Sequence, residues 1–142
     1  HRPHQGRVGK RWPRLVWNRL ARFAMAVGTR IGGRAATRLL LDQGVKFDAV
    51  VCQSDQLARG CIDALKSQHL RIPEDVAVIG HDNWDVLTKS SRPPLTSIDN
   101  ETELIGRKAA RYLMDAINGQ PHHGTEYLPC RLIQRESTLP LD

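Results

Sequence analysis

The sequence contains no long apolar stretch and few cysteines. No run of about 18 apolar residues occurs, so no transmembrane helix is predicted. The three cysteines, Cys52, Cys61 and Cys130, are widely spaced and odd in number, and the first two lie in apolar surroundings. This pattern favours small buried core residues in a reducing compartment over disulfides or metal ligands.

Sequence signals for catalysis and for bound cofactors are also missing. There is no G-x-S-x-G elbow, no P-loop, no G-x-G-x-x-G and no C-x-x-C. His81 has no second histidine at ligand spacing, which argues against a metal site. We therefore predict no enzymatic activity, no catalytic residues, and neither a metal nor a cofactor.

Acidic residues are absent from the first 33 positions, which hold eight Lys or Arg. The later residues hold thirteen Lys or Arg against all fifteen acids, so the basic balance of the chain belongs to its N-terminal segment. Such a segment is typical of a cationic helix on a membrane or nucleic acid, of an Arg-rich targeting peptide, or of a disordered or non-native extension. We assign residues 1–33 to a disordered or non-native segment and residues 34–142 to a separate folded domain.

From Gly33 onward, helical and strand patterns alternate along the chain. Helices are predicted over 33–44, 54–68 and 100–119. Strands are predicted over 47–52, 75–80, 95–98 and 126–137, the last at a sheet edge because Pro129 interrupts it. Unbroken apolar strands alternating with helices predict an α/β fold with a parallel sheet and helices on both faces.

Apolar residues at helical spacing predict which helix faces are buried. The 54–68 helix is expected to bury Leu57, Ala58, Cys61, Ile62 and Leu65. The 100–119 helix is expected to begin with a capping box of Asn100 and Glu103. Its predicted buried face consists of Leu104, Ile105, Ala109, Tyr112, Leu113, Ala116 and Ile117.

Polar residues follow two predicted strands at the point where each strand ends. Ser54 and Asp55 follow the first strand, and Asp82, Asn83 and Trp84 follow the second. A single crossover helix links these strands, so their polar ends are expected to share one crevice. Carboxylate and amide groups suit ligands rich in hydroxyls, and an aromatic side chain can cover an apolar ring face. The structural alternatives are helix caps for the first pair, turn residues for the aspartate and asparagine, and packing or a subunit contact for the tryptophan.

Three segments in this order resemble the C-terminal part of LacI/GalR-family transcriptional regulators: FDAVVCQSDQLARGCIDALKSQHLRIPEDVAVIGHDN, RPPLTSIDNETELIGRKAARYLMDAINGQ and EYLPCRLIQRESTLP. The resemblance runs from about Gly33 to Pro140, and it implies that residues 34–142 are an effector-binding domain, mostly its C-terminal subdomain. It implies a periplasmic-binding-protein-like C-terminal subdomain, the effector-sensing portion of a cytoplasmic, homodimeric repressor that responds to a sugar or sugar derivative. It also implies operator binding through an N-terminal helix-turn-helix, which is absent from these residues, as is the first subdomain. The alternative is a solute-binding protein of a sugar transport system, which shares the fold.

The same resemblance implies effector-binding positions. Asp82 in GHDN matches the family's ligand-binding aspartate. Ser54 and Asp55 match a position usually written Asn-Asp, where this sequence has serine in place of asparagine. Asn100 lies near a crossover segment that often contributes a contact. The family's subunit contacts correspond to the loop 85–92 and to the helix that starts at Asp55.

Overall fold

The structure, a computed structural model, describes residues 28–138. The predictions made for residues 1–27 therefore lie outside the described residues. Helices and strands follow one another in the order α1 (Arg30–Asp42), β1 (Ala49–Val51), α2 (Asp55–Ser67), β2 (Ala77–His81), α3 (Asp85–Thr88), β3 (Thr96–Asp99), α4 (Thr102–Ile117) and β4 (Arg131–Ile133). Across 28–138, no helix has the length and apolar character needed to span a membrane.

The strands form one four-stranded sheet in the order β1-β2-β3-β4. β1 and β2 are parallel, as are β2 and β3. β4 is antiparallel to β3, with Asp99 opposite Arg131 and Ser97 opposite Ile133. The chain leaves β3 into α4 and returns at the same end of the sheet, so β4 must run in the opposite direction. The mostly parallel sheet confirms the predicted α/β fold class, and the last strand lies at an edge as predicted.

Helix α2 covers one face of the sheet and forms the core with it. All five residues predicted for its apolar face are buried, and they pack against Val50 of β1, Val78 of β2 and Leu95, which directly precedes β3. Leu65 is fully buried, a burial that contributes roughly 1.5–3 kcal/mol. On the opposite face Ala77 and Ile79 are only half-buried, and none of the described helices packs closely there.

Helix α1 packs directly on α2 at a glycine contact. It begins at Arg30, three residues before the predicted start, because the Thr29 side chain caps it. A Cβ added at Gly33 would lie 2.2 Å from the carbonyl oxygen of Leu57, and one added at Gly60 would lie 2.0 Å from that of Arg30. The two backbones therefore approach more closely than any residue with a side chain would allow.

Helix α4 departs from two predictions. None of its residues is buried, and Leu113 and Ile117 are 63% and 69% exposed. The spacing correctly marks an apolar face, but no other element of residues 28–138 packs closely against it. The predicted capping box is also wrong, because the N-cap is Glu101 at φ +53° with no side-chain cap hydrogen bond. The Asn100 side chain points instead to residues at the end of β2.

Candidate functional site

The candidate site lies beyond the carboxyl ends of the parallel strands, where the sequence placed it. A cavity of about 220 Å³ opens there, lined by Gly28, Ser54, Asp55, Gln56, Asp82, Trp84 and Leu87. Three of the four predicted effector-binding residues therefore border one cavity. The fourth, Asn100, adjoins it through Asp82. Neighbouring parallel strands end at the same edge of the sheet, which is why residues far apart in sequence meet here.

Ser54 and Asp55 are both used by the start of α2. The Ser54 hydroxyl accepts a hydrogen bond from the backbone N–H of Leu57 at 3.3 Å and so caps the helix. Asp55 is fully buried, and its two carboxylate oxygens accept separate hydrogen bonds. The backbone N–H of Trp84 donates to one at 2.8 Å, and the Ser97 hydroxyl donates to the other at 2.5 Å. Asp55 thus joins α2, the loop after β2, and β3.

Burial raises the pKa of the Asp55 carboxyl above its ordinary range. The hydrogen bonds from Ser97 and Trp84 oppose this rise because they stabilise the carboxylate. The nearby charge of Asp82 raises the pKa further, and that of Arg135 lowers it. Both Asp55 oxygens accept hydrogen bonds from within the protein, so its carboxylate positions the loop that carries the other site residues. Asp55 also lines the cavity, and its direct contact with an effector stays a prediction.

Asp82, Asn100 and His81 form the exposed polar cluster of the site. The Asp82 side chain is 41% exposed, and its Oδ1 lies 3.2 Å from His81 Nδ1. The Asn100 Nδ2 lies 3.4 Å from the same histidine nitrogen and 3.5 Å from Asp82 Oδ1. The cluster thus offers a carboxylate, a carboxamide and an imidazole to solvent, a mixture of donors and acceptors that suits vicinal hydroxyl groups.

Two site residues were missed by the sequence reasoning. His81 was considered only as a metal ligand, although it ends β2 and lies on the side of the strand opposite the core. Ser97 was treated only as part of a strand, yet its hydroxyl donates to Asp55 and accepts from the backbone N–H of Asn83. The period-two alternation of β2 could have indicated the first, whereas no local signal marks the second. Residues 28–138 contain no group of three or more His, Cys, Asp or Glu suited to a metal ion.

Comparison with known proteins identifies the family. A family model described as a periplasmic binding protein-like domain matches residues 18–138. The chain belongs to this family. Within this periplasmic-binding-protein-like family, the HTH-type transcriptional regulator CelR of Thermobifida fusca is 41% identical over 106 residues, which cover 74% of this chain and 31% of CelR. The predicted resemblance to LacI/GalR-type regulators is confirmed.

Solved structures agree with the sequence relatives. A dimeric Lac repressor carrying a C-terminal deletion matches with a TM-score of 0.74 and 30% identity, over 78% of this chain and 41% of that one. A complex of the transcriptional regulator CelR with cellobiose matches with a TM-score of 0.69 and 39% identity, over 77% of this chain and 33% of that one. The chain spans about a third of the length of the curated relatives that it matches.

Proposed function

We propose that this chain is the effector-sensing part of a LacI/GalR-type transcriptional repressor that responds to a sugar or a related small molecule. The observation that carries the proposal is the exposed pairing of Asp82 with Asn100 beside a cavity at the strand ends. Such a pairing can bind hydroxyl groups both as acceptor and as donor. Further support comes from the CelR–cellobiose complex and from the Lac repressor, to which the chain is similar.

In this proposal the site residues have different roles. Asp82 and Asn100 bind effector hydroxyls, and Ser54 borders the same cavity while capping α2. Asp55 forms the cavity wall and fixes the backbone of Trp84. Effector binding then favours one arrangement of two subdomains over another, and this population shift changes the affinity for operator DNA.

The partners follow from surfaces that the described residues leave uncovered. The apolar side of α4 is proposed to pack against the first subdomain of the sensor, because four large apolar side chains of that face are exposed: Leu104, Ile105, Leu113 and Ile117. Trp84 and Val86, which are 60% and 80% exposed, are proposed to lie in a homodimer contact. Operator DNA would bind to an N-terminal helix-turn-helix, and the regulator would act in the cytoplasm.

A sugar-transport solute-binding protein is the alternative function. The fold suits both functions, but CelR and the Lac repressor are regulators, which favours the sensor. They are also not enzymes, and we propose that this chain has no catalytic activity. A regulator's effector changes DNA binding, whereas a transport protein's solute does not, so a DNA-release assay distinguishes the two.

The proposal is tested in a chimera that supplies the rest of the sensor. Residues 33–138 replace the matching segment of CelR, and operator binding is measured with and without cellobiose. We expect the chimera to bind the CelR operator and release it on addition of cellobiose. Asp82→Ala should abolish this release and spare operator binding, because it removes only the effector-facing carboxylate.

Asp48→Ala is the matched control, since this half-buried aspartate precedes β1 at the opposite end of the sheet. It should leave the release intact. Full release by the Asp82→Ala chimera, or no release from a folded parent chimera with cellobiose or any of a panel of mono- and disaccharides, would contradict the proposal.

A further inference from the structure

The C-terminal segment 134–138 is held to the sheet mainly through Ser137. The backbone of this fully buried serine accepts from the N–H of Val78 at 2.8 Å and donates to the carbonyl of Pro94 at 2.9 Å. Its hydroxyl donates to the Val78 carbonyl at 2.6 Å and accepts from the N–H of Thr96 at 2.8 Å. These four bonds anchor the segment beside β2 and β3, and none of them involves the side chain of Arg135.

The Arg135 side chain reaches from this segment towards the site. It is only 14% exposed. Its Nη1 donates to the carbonyl of Leu95 at 2.9 Å, and its Nη2 donates to Asn83 Oδ1 at 2.9 Å. The planar guanidinium makes both bonds at once from fixed directions, which a lysine ammonium on a flexible stem cannot reproduce.

Asn83, the residue next to Asp82, is held from several sides. Its backbone N–H donates to the Ser97 hydroxyl at 3.1 Å, and its Nδ2 donates to Asp99 Oδ2 at 3.1 Å. Arg135 supplies the bond to the remaining amide oxygen. Asp82 and Asn83 have φ angles of +99° and +53°. Side-chain-bearing residues adopt such angles at a cost, so tertiary bonds are needed to keep this turn in place.

We propose that Arg135 is a positioning residue for the effector site. By fixing Asn83, it holds the adjoining Asp82 carboxylate beside Asn100 at the cavity. The part of this inference that concerns effector affinity rests on the proposed function, whereas the part that concerns the turn does not. Arg135 acts through Asn83 and does not line the cavity itself.

Hydrogen exchange of the 142-residue chain tests the turn directly. The variant is Arg135→Lys, and the amides followed by NMR are those of Asn83 and Trp84, which donate to Ser97 and Asp55. Loss of one buried bond to the turn should speed their exchange about tenfold. The amide of Ala77, which donates to the Asp48 carbonyl in the β1–β2 pair, should change far less.

Ser137→Ala is the matched control in the same segment. It removes the two hydrogen bonds of the Ser137 hydroxyl and leaves both hydrogen bonds of the Arg135 guanidinium intact. We expect it to lower global stability and to speed exchange of all three amides alike. Unchanged protection of Asn83 in Arg135→Lys, or a uniform acceleration like that of the control, would overturn the positioning role.

The chimera described above tests the consequence for the effector. There, Arg135→Lys should raise the cellobiose concentration needed for half-maximal DNA release about tenfold, with operator affinity unchanged in its absence. An unaltered dose response combined with a loosened turn would refute the link to effector binding. A chimera that ignores every sugar even with Arg135 present would count against the proposed function alone, since the exchange result is independent of it.

Discussion

Gly80 provides a direct test of how the candidate site is packed. It lies in β2 and is buried beneath the start of α2. A Cβ added there would lie 2.3 Å from Asp55 Oδ1, 2.9 Å from Leu95 Cδ2 and 3.4 Å from Ala58 Cβ. Gly80→Ala must therefore push Asp55 away from its partners, or shift the strand from α2.

The expected loss has two physical parts. Overpacking of a filled core costs about 1–3 kcal/mol, and weakening one hydrogen bond to a buried carboxylate adds about 1–2 kcal/mol. A loss of about 3 kcal/mol with a urea slope of about 2 kcal/mol/M lowers the unfolding midpoint by roughly 1.5 M. Gly80 does not have the positive φ found at Gly44 and Gly119, so the loss is steric and does not come from backbone strain.

Urea unfolding of the 142-residue chain, followed by circular dichroism, measures this loss. The control is Gly106→Ala in α4, where an added Cβ meets nothing within 4 Å. Because alanine is the better helix former, this variant should keep or raise stability, by up to about 1 kcal/mol. A Gly80→Ala midpoint within about 0.3 M of the parent would refute the close contact of β2 with Asp55.

Two further predictions concern the start of α2. Because burial raises the pKa of Asp55 above its ordinary value of 3.8, the folded chain binds this proton more tightly than the unfolded chain. Relative to Asp55→Asn, the parent chain should thus be most stable below pH 3.8 and should lose stability as the pH rises through the raised pKa. A difference in urea midpoint between the two proteins that stays constant from about pH 3 to 7 would contradict this. Ser54→Ala removes the cap of α2 and should cost about 1 kcal/mol in the same assay, whereas Ser67→Ala, near the end of α2, should cost less.

Local sequence patterns predicted the elements whose signals are themselves local. β1 and β2 lie in short apolar runs, and α2 combines a serine cap with a continuous apolar face, so these elements were found, the helix with its buried residues. The predicted strand over 126–137 is shorter in the structure, where β4 covers only Arg131–Ile133. The start of α1 was placed too late because Thr29 and Arg30 fell within the basic segment. The short helix α3 (Asp85–Thr88) was not predicted, since four residues give no periodicity.

Helix α4 shows what periodicity cannot predict. Its apolar spacing correctly identified one face, but the spacing contains no information about which element covers that face. In the described residues the face remains exposed. An amphipathic pattern predicts that a partner exists somewhere, while burial within one stretch of chain depends on whether that partner belongs to it.

The candidate site was predictable in position, but its roles were not. The rule that parallel strands end at one edge correctly brought Ser54, Asp55 and Asp82 together. The rule cannot tell a ligand-binding carboxylate from a structural one, because both are aspartates that follow a strand. Contacts between residues distant in sequence make that distinction. The Ser97 hydroxyl donates to the buried Asp55 carboxylate, whereas the Asp82 side chain remains exposed.

Contacts with residues distant in sequence also hold the backbone of the turn after β2 in place. Between Asp82 and Trp84 the backbone makes three successive donor bonds, to Ile98, Ser97 and Asp55. All three acceptors lie in β3 or at the start of α2, so the turn is fixed by the sheet and not by its own sequence. The side chains of Asp82 and Trp84 remain exposed on this fixed turn. Because these backbone bonds fix the turn, the Asp82 carboxylate is positioned without having to hold the turn itself, and it stays 41% exposed beside His81 and Asn100.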